Sequence, residues 1–286
     1  MINMVTKASP RHRIAKEIQD IKERVKEVAE RRDRYKVDTI YPAPTLVDPR
    51  IAALYTRPTD LVGINQAKEE IITMLTEGED MSTEQRRIVS IVGFGGLGKT
   101  TLAKAVYDEL KAKFDCTVFM TVSQNPDIKN FLKGMLYVLD KQAFGSIHAA
   151  TLNENQLIDL IREFLKDKRS KYLIVIDDIW DMLSWNTVRL ALDNSKPGSK
   201  IILTTRNSDV AEKVHSCYRM KPLLPESSKA LFYGRIFGSQ EECPKHLFEV
   251  SEKILKKCGG VFAIITVSSL LANKQEDKTE WNEGCG

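Results

Sequence analysis

Short apolar segments alternate with amphipathic segments through the middle of this 286-residue chain. Runs of β-branched and other apolar residues predict four strands, at Ile88–Val92, Thr117–Val122, Tyr172–Ile176 and Lys200–Leu203. Apolar residues at helical spacing predict four helices among them, at Thr100–Lys111, Ile128–Leu139, Glu154–Leu165 and Asn207–Val214. Strands separated by helices are typical of a parallel sheet with helices on both faces, so we expect an α/β fold.

The part of the chain after Pro225 shows helical patterns only. They predict three further helices, at Glu226–Phe237, Lys245–Lys257 and Phe262–Ala272. Another short helix is predicted before the first strand, at about Asn65–Thr76. We therefore expect an α/β domain over residues 61–224 and a small helical subdomain over residues 225–286.

The N-terminal segment carries one amphipathic pattern. A capping serine and a proline, Ser9-Pro10, form a good helix start. Apolar residues then recur with a 3.5-residue period, at Ile14, Ile18, Ile21, Val25 and Val28. This pattern predicts one helix within residues 1–37. Four prolines between residues 38 and 60 interrupt helical structure and predict a semi-extended linker.

Charge is distributed unevenly along the chain. The formal net charge is +4, and residues 1–36 carry 11 Lys and Arg against 6 Asp and Glu. The signs alternate within that segment, which favours a solvated helix face over a nucleic-acid-binding surface. We therefore expect no nucleic-acid partner.

Cysteine spacing and hydropathy indicate the cellular compartment of the protein. The five cysteines are irregularly spaced, which is typical neither of a disulfide framework nor of a zinc site. The N-terminus lacks the apolar core of a signal peptide. The longest nearly apolar run, Val261–Ala272, is too short to span a bilayer. These features predict a cytoplasmic protein without a transmembrane segment.

A glycine-rich motif, Gly93-Phe-Gly-Gly-Leu-Gly-Lys99-Thr100, follows the first predicted strand and opens a helix. This context is typical of a P-loop, whose backbone N–H groups and helix start face phosphate oxygens. Lys99 supplies a charge for the β- and γ-phosphates, and the Thr100 hydroxyl suits Mg²⁺. The predicted ADP/ATP-binding residues in this segment are Gly93, Gly95, Gly96, Leu97, Gly98, Lys99, Thr100 and Thr101. The alternative is a glycine-rich turn that holds no ligand.

A second motif ends the Tyr172 strand in two carboxylates, Asp177 and Asp178. In a parallel sheet this end lies at the same edge as the P-loop. Asp177 is predicted to hold Mg²⁺ together with Thr100, and Asp178 to orient or deprotonate a water molecule. Lys99, Asp177 and Asp178 are thus the candidate catalytic residues. On their own, two acids at a strand end would be read as solvated.

A third strand ends in Thr204-Thr205-Arg206. An arginine at this edge can reach a γ-phosphate and so distinguish a triphosphate from a diphosphate. A surface salt bridge is the alternative interpretation of Arg206.

These segments occur in the order and rough spacing of a known family. Further matching segments are Phe114-Asp115, Thr121-Val-Ser-Gln124, Ile179-Trp180, Tyr218-Arg-Met220, Ser227-Ser228 and Cys258-Gly259-Gly260. Together they resemble the NB-ARC module of plant coiled-coil disease-resistance proteins with leucine-rich repeats, which are STAND NTPases. The resemblance covers about residues 60–272.

The resemblance implies a molecular switch that holds ADP at rest and ATP in an active, oligomerising state. It implies that Leu61 and Val62 line the adenine pocket, that Arg206 is the first phosphate sensor, and that residues 1–37 are the last helix of a coiled-coil domain. Implied partners are a winged-helix region, leucine-rich repeats and, in the ATP state, further copies of the chain.

The sequence departs from the family pattern in two places. After Gly260 the family usually has Pro-Leu-Ala following one apolar residue, whereas this chain reads Val261-Phe262-Ala263, without the proline. An adenine contact from that proline is therefore not expected. The sequence ends at Gly286, before the winged-helix motif, which suggests a fragment or a truncated product.

The leading hypothesis is an ADP/ATP-binding switch module of a plant innate-immune receptor, at most a slow ATPase. One alternative is an ATP-using enzyme such as a small-molecule kinase. A truncated paralogue that binds no nucleotide is the other.

Overall fold

The computed structural model describes residues 61–76, 87–141, 152–167, 171–192, 198–214, 216–258 and 260–272. All of them belong to one unit, Ala52–Gly286. The predicted helix within residues 1–37 and the predicted linker over residues 38–60 lie outside the described residues. No helix in the described ranges is long and apolar enough to cross a membrane.

Five parallel strands form one sheet in the order β2-β3-β4-β1-β5. They span Arg87–Val92 (β1), Cys116–Thr121 (β2), Tyr172–Ile179 (β3), Lys200–Thr205 (β4) and Ser216–Arg219 (β5). Every residue of β3 and β4 is buried, as expected for central strands that are covered on both faces. The predicted α/β fold with a parallel sheet is confirmed.

Helices flank the sheet and follow it. They span Asn65–Thr76 (α1), Lys99–Leu110 (α2), Ile128–Leu139 (α3), Glu154–Asp167 (α4), Met182–Leu190 (α5), Ser208–Glu212 (α6), Pro225–Ile236 (α7), Lys245–Lys257 (α8) and Val261–Ala272 (α9), with a 3₁₀ turn at Lys111–Lys113. Local polar groups fix several starts. For example, the Asp127 side chain accepts from the Asn130 amide at the start of α3. We call Asn65–Arg219 the sheet region and Pro225–Ala272 the three-helix region.

Alternation along β3 divides the core between the two faces of the sheet. Leu173 and Val175 pack with α1 and α2, whereas Ile174 and Ile176 pack with α3, α4 and α5. The three-helix region has a smaller core of its own, made by Phe232, Tyr233, Leu247, Val250, Ile254, Ile264 and Leu271.

A polar network supports that smaller core. The Tyr233 hydroxyl donates to Glu252 Oε1 at 3.1 Å, and Lys229 Nζ lies 3.2 Å from the same oxygen. Burial and the neighbouring Glu252 charge raise the pKa of Tyr233 well above its usual value. The hydroxyl therefore remains a donor that joins α7 to α8.

Two elements were not predicted. Strand β5 has only four half-exposed or exposed residues, and its extended form depends on pairing with β1 across more than a hundred residues. Helix α5 has nine residues, too few for a clear periodic pattern, and is specified by the Asp181 cap and the burial of Trp185 and Val188. Strand β3 also runs three residues further than predicted, through both acids.

Candidate functional site

The loop between β1 and α2 holds its glycines in conformations that other residues rarely adopt. Gly96 has φ 79° and Gly98 has φ 94°, both in the left-handed region. Gly98 is also the N-cap of α2, where no side chain caps the helix. The first-turn N–H groups of α2 therefore have no capping side-chain acceptor, and such groups bind an anion favourably.

Gly95 lies close to a side chain from a distant part of the chain. A Cβ atom at this position would lie 3.1 Å from Nη1 of Arg206, closer than an ordinary contact. The missing side chain thus leaves room for the guanidinium group of a residue 111 positions later in the chain. The sequence alone suggested only that this glycine lets the loop approach phosphate.

Lys99 is buried at the base of the loop, with 7% exposure. Its Nζ donates to the carbonyl oxygens of Gly93 at 2.7 Å and Phe94 at 2.8 Å. Burial, together with the positive charge of Arg206, lowers the pKa of Lys99, while the two carboxylates nearby act in the opposite direction. The Lys99 ammonium group donates to neutral carbonyl oxygens, and an anion that replaces them would accept stronger hydrogen bonds.

Asp177 lies at the centre of a hydroxyl network and is fully buried. The Thr100 hydroxyl is 3.0 Å from each of its carboxylate oxygens, and the Thr204 hydroxyl donates to Oδ1 at 2.6 Å. The same Thr204 oxygen accepts from the backbone N–H of Asp178 at 2.7 Å. Sequence reasoning gave Thr204 no role, although a hydroxyl at the end of the adjacent parallel strand was a usable signal.

The residues present at this point fit a magnesium ion. Mg²⁺ prefers oxygen ligands and is held in nucleotide sites by one or two protein groups plus phosphate oxygens and water. Thr100 and Asp177 place a hydroxyl and a carboxylate oxygen 3.0 Å apart beside the uncapped start of α2. The donor set therefore suits the metal predicted from the sequence.

Asp178 has an unusual backbone for a residue with a side chain, with φ 62°. The left-handed region is tolerated by Asp and Asn better than by most residues. The ladder between β3 and β4 is irregular here, with a register shift between Ile176 and Ile179. The side chain is nearly buried, and its Oδ1 lies 3.5 Å from Nε of Arg206.

Arg206 also contacts an aromatic ring. Its guanidinium carbon lies 4.8 Å from the centroid of the Trp180 ring, which follows β3 directly. The two residues come from neighbouring strands, so the sheet itself brings them together. Sequence reasoning missed this role of Trp180, since a tryptophan after a strand gives no signal of a cation partner.

The start of α9 contacts the P-loop. The Phe262 N–H donates to the Gly96 carbonyl at 3.0 Å, and a Cβ atom on Gly260 would lie 3.3 Å from that oxygen. Proline at position 262 could not make this bond, because it has no N–H. A residue with a backbone N–H at position 262 thus joins the three-helix region to the loop.

The remaining candidate residues lie around this core. Leu61, Val62 and Thr101 are half-buried, and Leu97 is buried with 6% exposure. Gly63, which follows Val62, has φ 73° and packs against Ser227 at the start of α7. The adenine-lining role of Leu61 and Val62 stays a prediction.

The chain is similar to proteins of a known family. The family profile described as "NB-ARC domain" matches residues 64–241. The chain is 33% identical to "Disease resistance protein RGA5" of Oryza sativa subsp. japonica, over 96% of this chain and 25% of that protein. It is 32% identical to "ToMV resistance protein Tm-2(2)" of Solanum lycopersicum, over 94% of this chain and 31% of that protein.

A solved structure is also similar. It is a signal transduction ATPase with numerous domains (STAND) and a tetratricopeptide repeat sensor from Pyrococcus horikoshii, with a TM-score of 0.46 and 20% identity. The match covers 76% of this chain and 31% of that one. The chain thus spans about a quarter to a third of the length of these relatives.

Proposed function

The chain belongs to the NB-ARC family, and on that premise we propose that it is the ADP/ATP-binding switch module of a plant immune receptor. The observation that carries the proposal is the convergence of three strand ends on one edge. There the P-loop, the Thr100–Asp177 pair and Arg206 lie together. The names of the relatives, which are disease-resistance proteins, support the immune role.

Phosphate binding is assigned to the P-loop and the start of α2. The backbone N–H groups of Gly95 to Thr101 surround the phosphates, and the helix dipole adds a favourable field. Lys99 exchanges its two carbonyl acceptors, Gly93 and Phe94, for β- and γ-phosphate oxygens. Each exchange replaces a neutral acceptor by a charged one, which gives the stronger hydrogen bond.

Thr100 and Asp177 hold the metal in this proposal. A bound Mg²⁺ would neutralise charge on the β- and γ-phosphates. Thr204 keeps the Asp177 carboxylate oriented through its 2.6 Å hydrogen bond. Ligands already held in place lose little conformational freedom when the metal binds.

Arg206 distinguishes ATP from ADP in this proposal. Its position beside Gly95 brings the guanidinium group to the mouth of the P-loop. A bidentate donor there recognises a γ-phosphate that a diphosphate lacks. The difference in contacts is what allows ATP and ADP to favour different states of the protein.

Hydrolysis, if it occurs, is assigned to Asp178. Its carboxylate would orient an attacking water and accept its proton as the bond to the γ-phosphate breaks, releasing ADP and phosphate. In the structure Oδ1 of this carboxylate lies 3.5 Å from Nε of Arg206, so the pair must separate before the carboxylate can bind an attacking water. We therefore propose slow or no turnover, which suits a switch better than a small-molecule kinase.

The finer features of the receptor belong to the same proposal. We assign residues 1–37 to the end of a coiled-coil domain on the basis of the seam from Ile14 to Val28. Residues 61–224 and 225–286 are assigned to the nucleotide-binding domain and the helical ARC subdomain. A cytoplasmic location and self-association in the ATP state complete the proposal.

A calorimetric titration of the full chain with ADP and with a non-hydrolysable ATP analogue, each with Mg²⁺, tests the proposal. Wild-type chain should bind both, and Lys99→Ala should lose at least about a hundredfold in affinity, because it removes a charge that meets two phosphates. Lys111→Ala is the matched control, since Lys111 is a half-exposed lysine whose ion pair is with Asp108. Unchanged affinity in a folded Lys99→Ala chain would contradict the proposal.

A further inference from the structure

The guanidinium group of Arg206 is flanked on three sides by three segments of the chain. Below it, the Trp180 ring centroid lies 4.8 Å from Cζ. Beside it, Oδ1 of Asp178 lies 3.5 Å from Nε. On the third side is Gly95, where a Cβ atom would lie 3.1 Å from Nη1. Because the Arg206 side chain is still 47% exposed, these contacts, and not burial, define its position.

The surroundings of the Trp180 ring indicate that its aromatic face has a role. Its Nε1 atom is buried, and none of the described residues accepts a hydrogen bond from it. A buried donor without an acceptor is destabilising, so an apolar side chain would be favoured if bulk alone were needed. What tryptophan offers in addition is the aromatic face that attracts a cation most strongly.

We propose that Trp180 is a positioning residue that holds the Arg206 guanidinium beside the P-loop and thereby raises the affinity of the site for a nucleoside triphosphate relative to a diphosphate. The proposal rests on the proposed function, in which Arg206 contacts the γ-phosphate. A free arginine side chain loses much rotational freedom when it binds. Trp180 restricts that freedom in advance, so less is lost when the third phosphate arrives.

Asp178 acts on the same arginine but lowers the affinity of the site for a triphosphate. Its carboxylate and a γ-phosphate are both anions that compete for one guanidinium group. A triphosphate must therefore draw Arg206 away from Asp178, whereas a diphosphate leaves the pair intact. The exchange releases the Asp178 carboxylate when a triphosphate is bound, which is the state in which a base has a substrate.

The test compares affinities for ADP and for a non-hydrolysable ATP analogue, with Mg²⁺, on the full chain. Trp180→Leu, which keeps an apolar side chain but removes the aromatic face, should lower the affinity for the analogue relative to ADP about threefold to tenfold, the size of one cation–π contact at a half-exposed site. Trp180→Phe should retain most of the relative affinity. Leu183→Ala, at a nearby position with 78% exposure, should leave it unchanged.

Two further variants separate positioning from general damage. In the Arg206→Ala background, Trp180→Leu should cause no additional change, because the residue acts only through the arginine. Asp178→Asn should raise the relative affinity for the analogue, and Asn tolerates the φ of 62° at this position. If Trp180→Leu does not fold, Trp180→Met gives the same comparison with a side chain that adapts to irregular space.

The possible results point to different conclusions. Equal affinity ratios in wild-type chain and in a folded Trp180→Leu or Trp180→Met chain would overturn the role of Trp180. A loss that persists in the Arg206→Ala background would also overturn it. Wild-type chain that binds neither nucleotide would instead overturn the proposed function, so the two failures are distinguishable.

Discussion

The sheet region and the three-helix region contribute to the candidate site in different ways. In the sheet region, parallel pairing of β1, β3 and β4 brings Lys99, Asp177 and Arg206 to one edge, and two buried clusters hold the sheet from both faces. The three-helix region has one small core and meets the loop through the start of α9. The sheet region thus supplies Lys99, Asp177 and Arg206, while the three-helix region contacts the loop at the start of one helix.

Disrupting the core of the three-helix region tests this division with the largest effect. Phe232 is fully buried, so Phe232→Ala should destabilise that region by about 3–5 kcal/mol. Hydrogen exchange should become faster in α7, α8 and α9, with little change in β1, β3 and β4. Phe248→Ala, at a position with 42% exposure in the same region, is the control. Equal loss of protection in the strands would mean that the two regions unfold as one.

The converse change affects the sheet region alone. Thr204→Val keeps the shape but removes the hydroxyl that donates to Asp177 and accepts from the Asp178 N–H. A buried N–H left without an acceptor costs about 1–3 kcal/mol in free energy of unfolding. Urea unfolding should show this loss, and the dependence of nucleotide affinity on Mg²⁺ should weaken. Thr76→Val, at the exposed end of α1, should do neither; if Thr204→Val matches it, the hydroxyl network has no such role.

The hydrogen bond between the two regions can be removed by a single proline substitution. Phe262→Pro deletes the N–H that donates to Gly96, at a helix position where proline is tolerated. ADP should dissociate about fivefold faster, the equivalent of one neutral hydrogen bond of about 1 kcal/mol. Slower dissociation would instead show that the new proline restores the adenine contact of the family pattern. Val261→Pro places the same ring one residue earlier and keeps the Phe262 N–H, so its ADP dissociation rate should be nearer to wild type. Similar rates for both proline variants would show that helix geometry, and not the bond, matters.

The smallest predicted effect is the uptake of protons when nucleotide binds. Burial and then the Arg206 charge lower the pKa of Lys99 from its ordinary 10.5, so the free site disfavours the charged form. Phosphate favours that form and raises the pKa again. Nucleotide binding should therefore take up a fraction of a proton at alkaline pH, and affinity should fall as pH rises. Calorimetry in buffers of different ionisation enthalpy measures the uptake, and Lys99→Arg should abolish it; uptake that persists in Lys99→Arg must come from another group.

The same contrast explains what could be predicted from the sequence. The buried runs of β3 and β4 and the long helices α3 and α8 carry strong periodic or apolar patterns. The starts of both strands and both ends of the two helices agree with the prediction. Strand β5 and helix α5 depend on pairing and burial against distant residues, which no local pattern contains.

The candidate site divides in the same way. The P-loop, Asp177 and Arg206 are predicted from the sequence because their residue types are tied to phosphate and magnesium chemistry and, for Arg206, because the family resemblance implies a phosphate sensor there. The bond from Thr204, the ring of Trp180 and the space left by Gly95 depend on how three strand ends meet. Those contacts arise from the register of the sheet, so they could be identified only in three dimensions.

The position of Trp180 also means that its fluorescence should report which nucleotide is bound. Of the two tryptophans in the described residues, Trp185 is 1% exposed in the core, while Trp180 is half-buried beneath the Arg206 cation. Indole emission depends on the local field and on contact with water, so a phosphate that binds the Arg206 guanidinium group should alter the emission of Trp180 and leave that of Trp185 constant. The intrinsic fluorescence of unlabelled protein would then follow the exchange of diphosphate for triphosphate in real time, with Trp180→Phe as the blank.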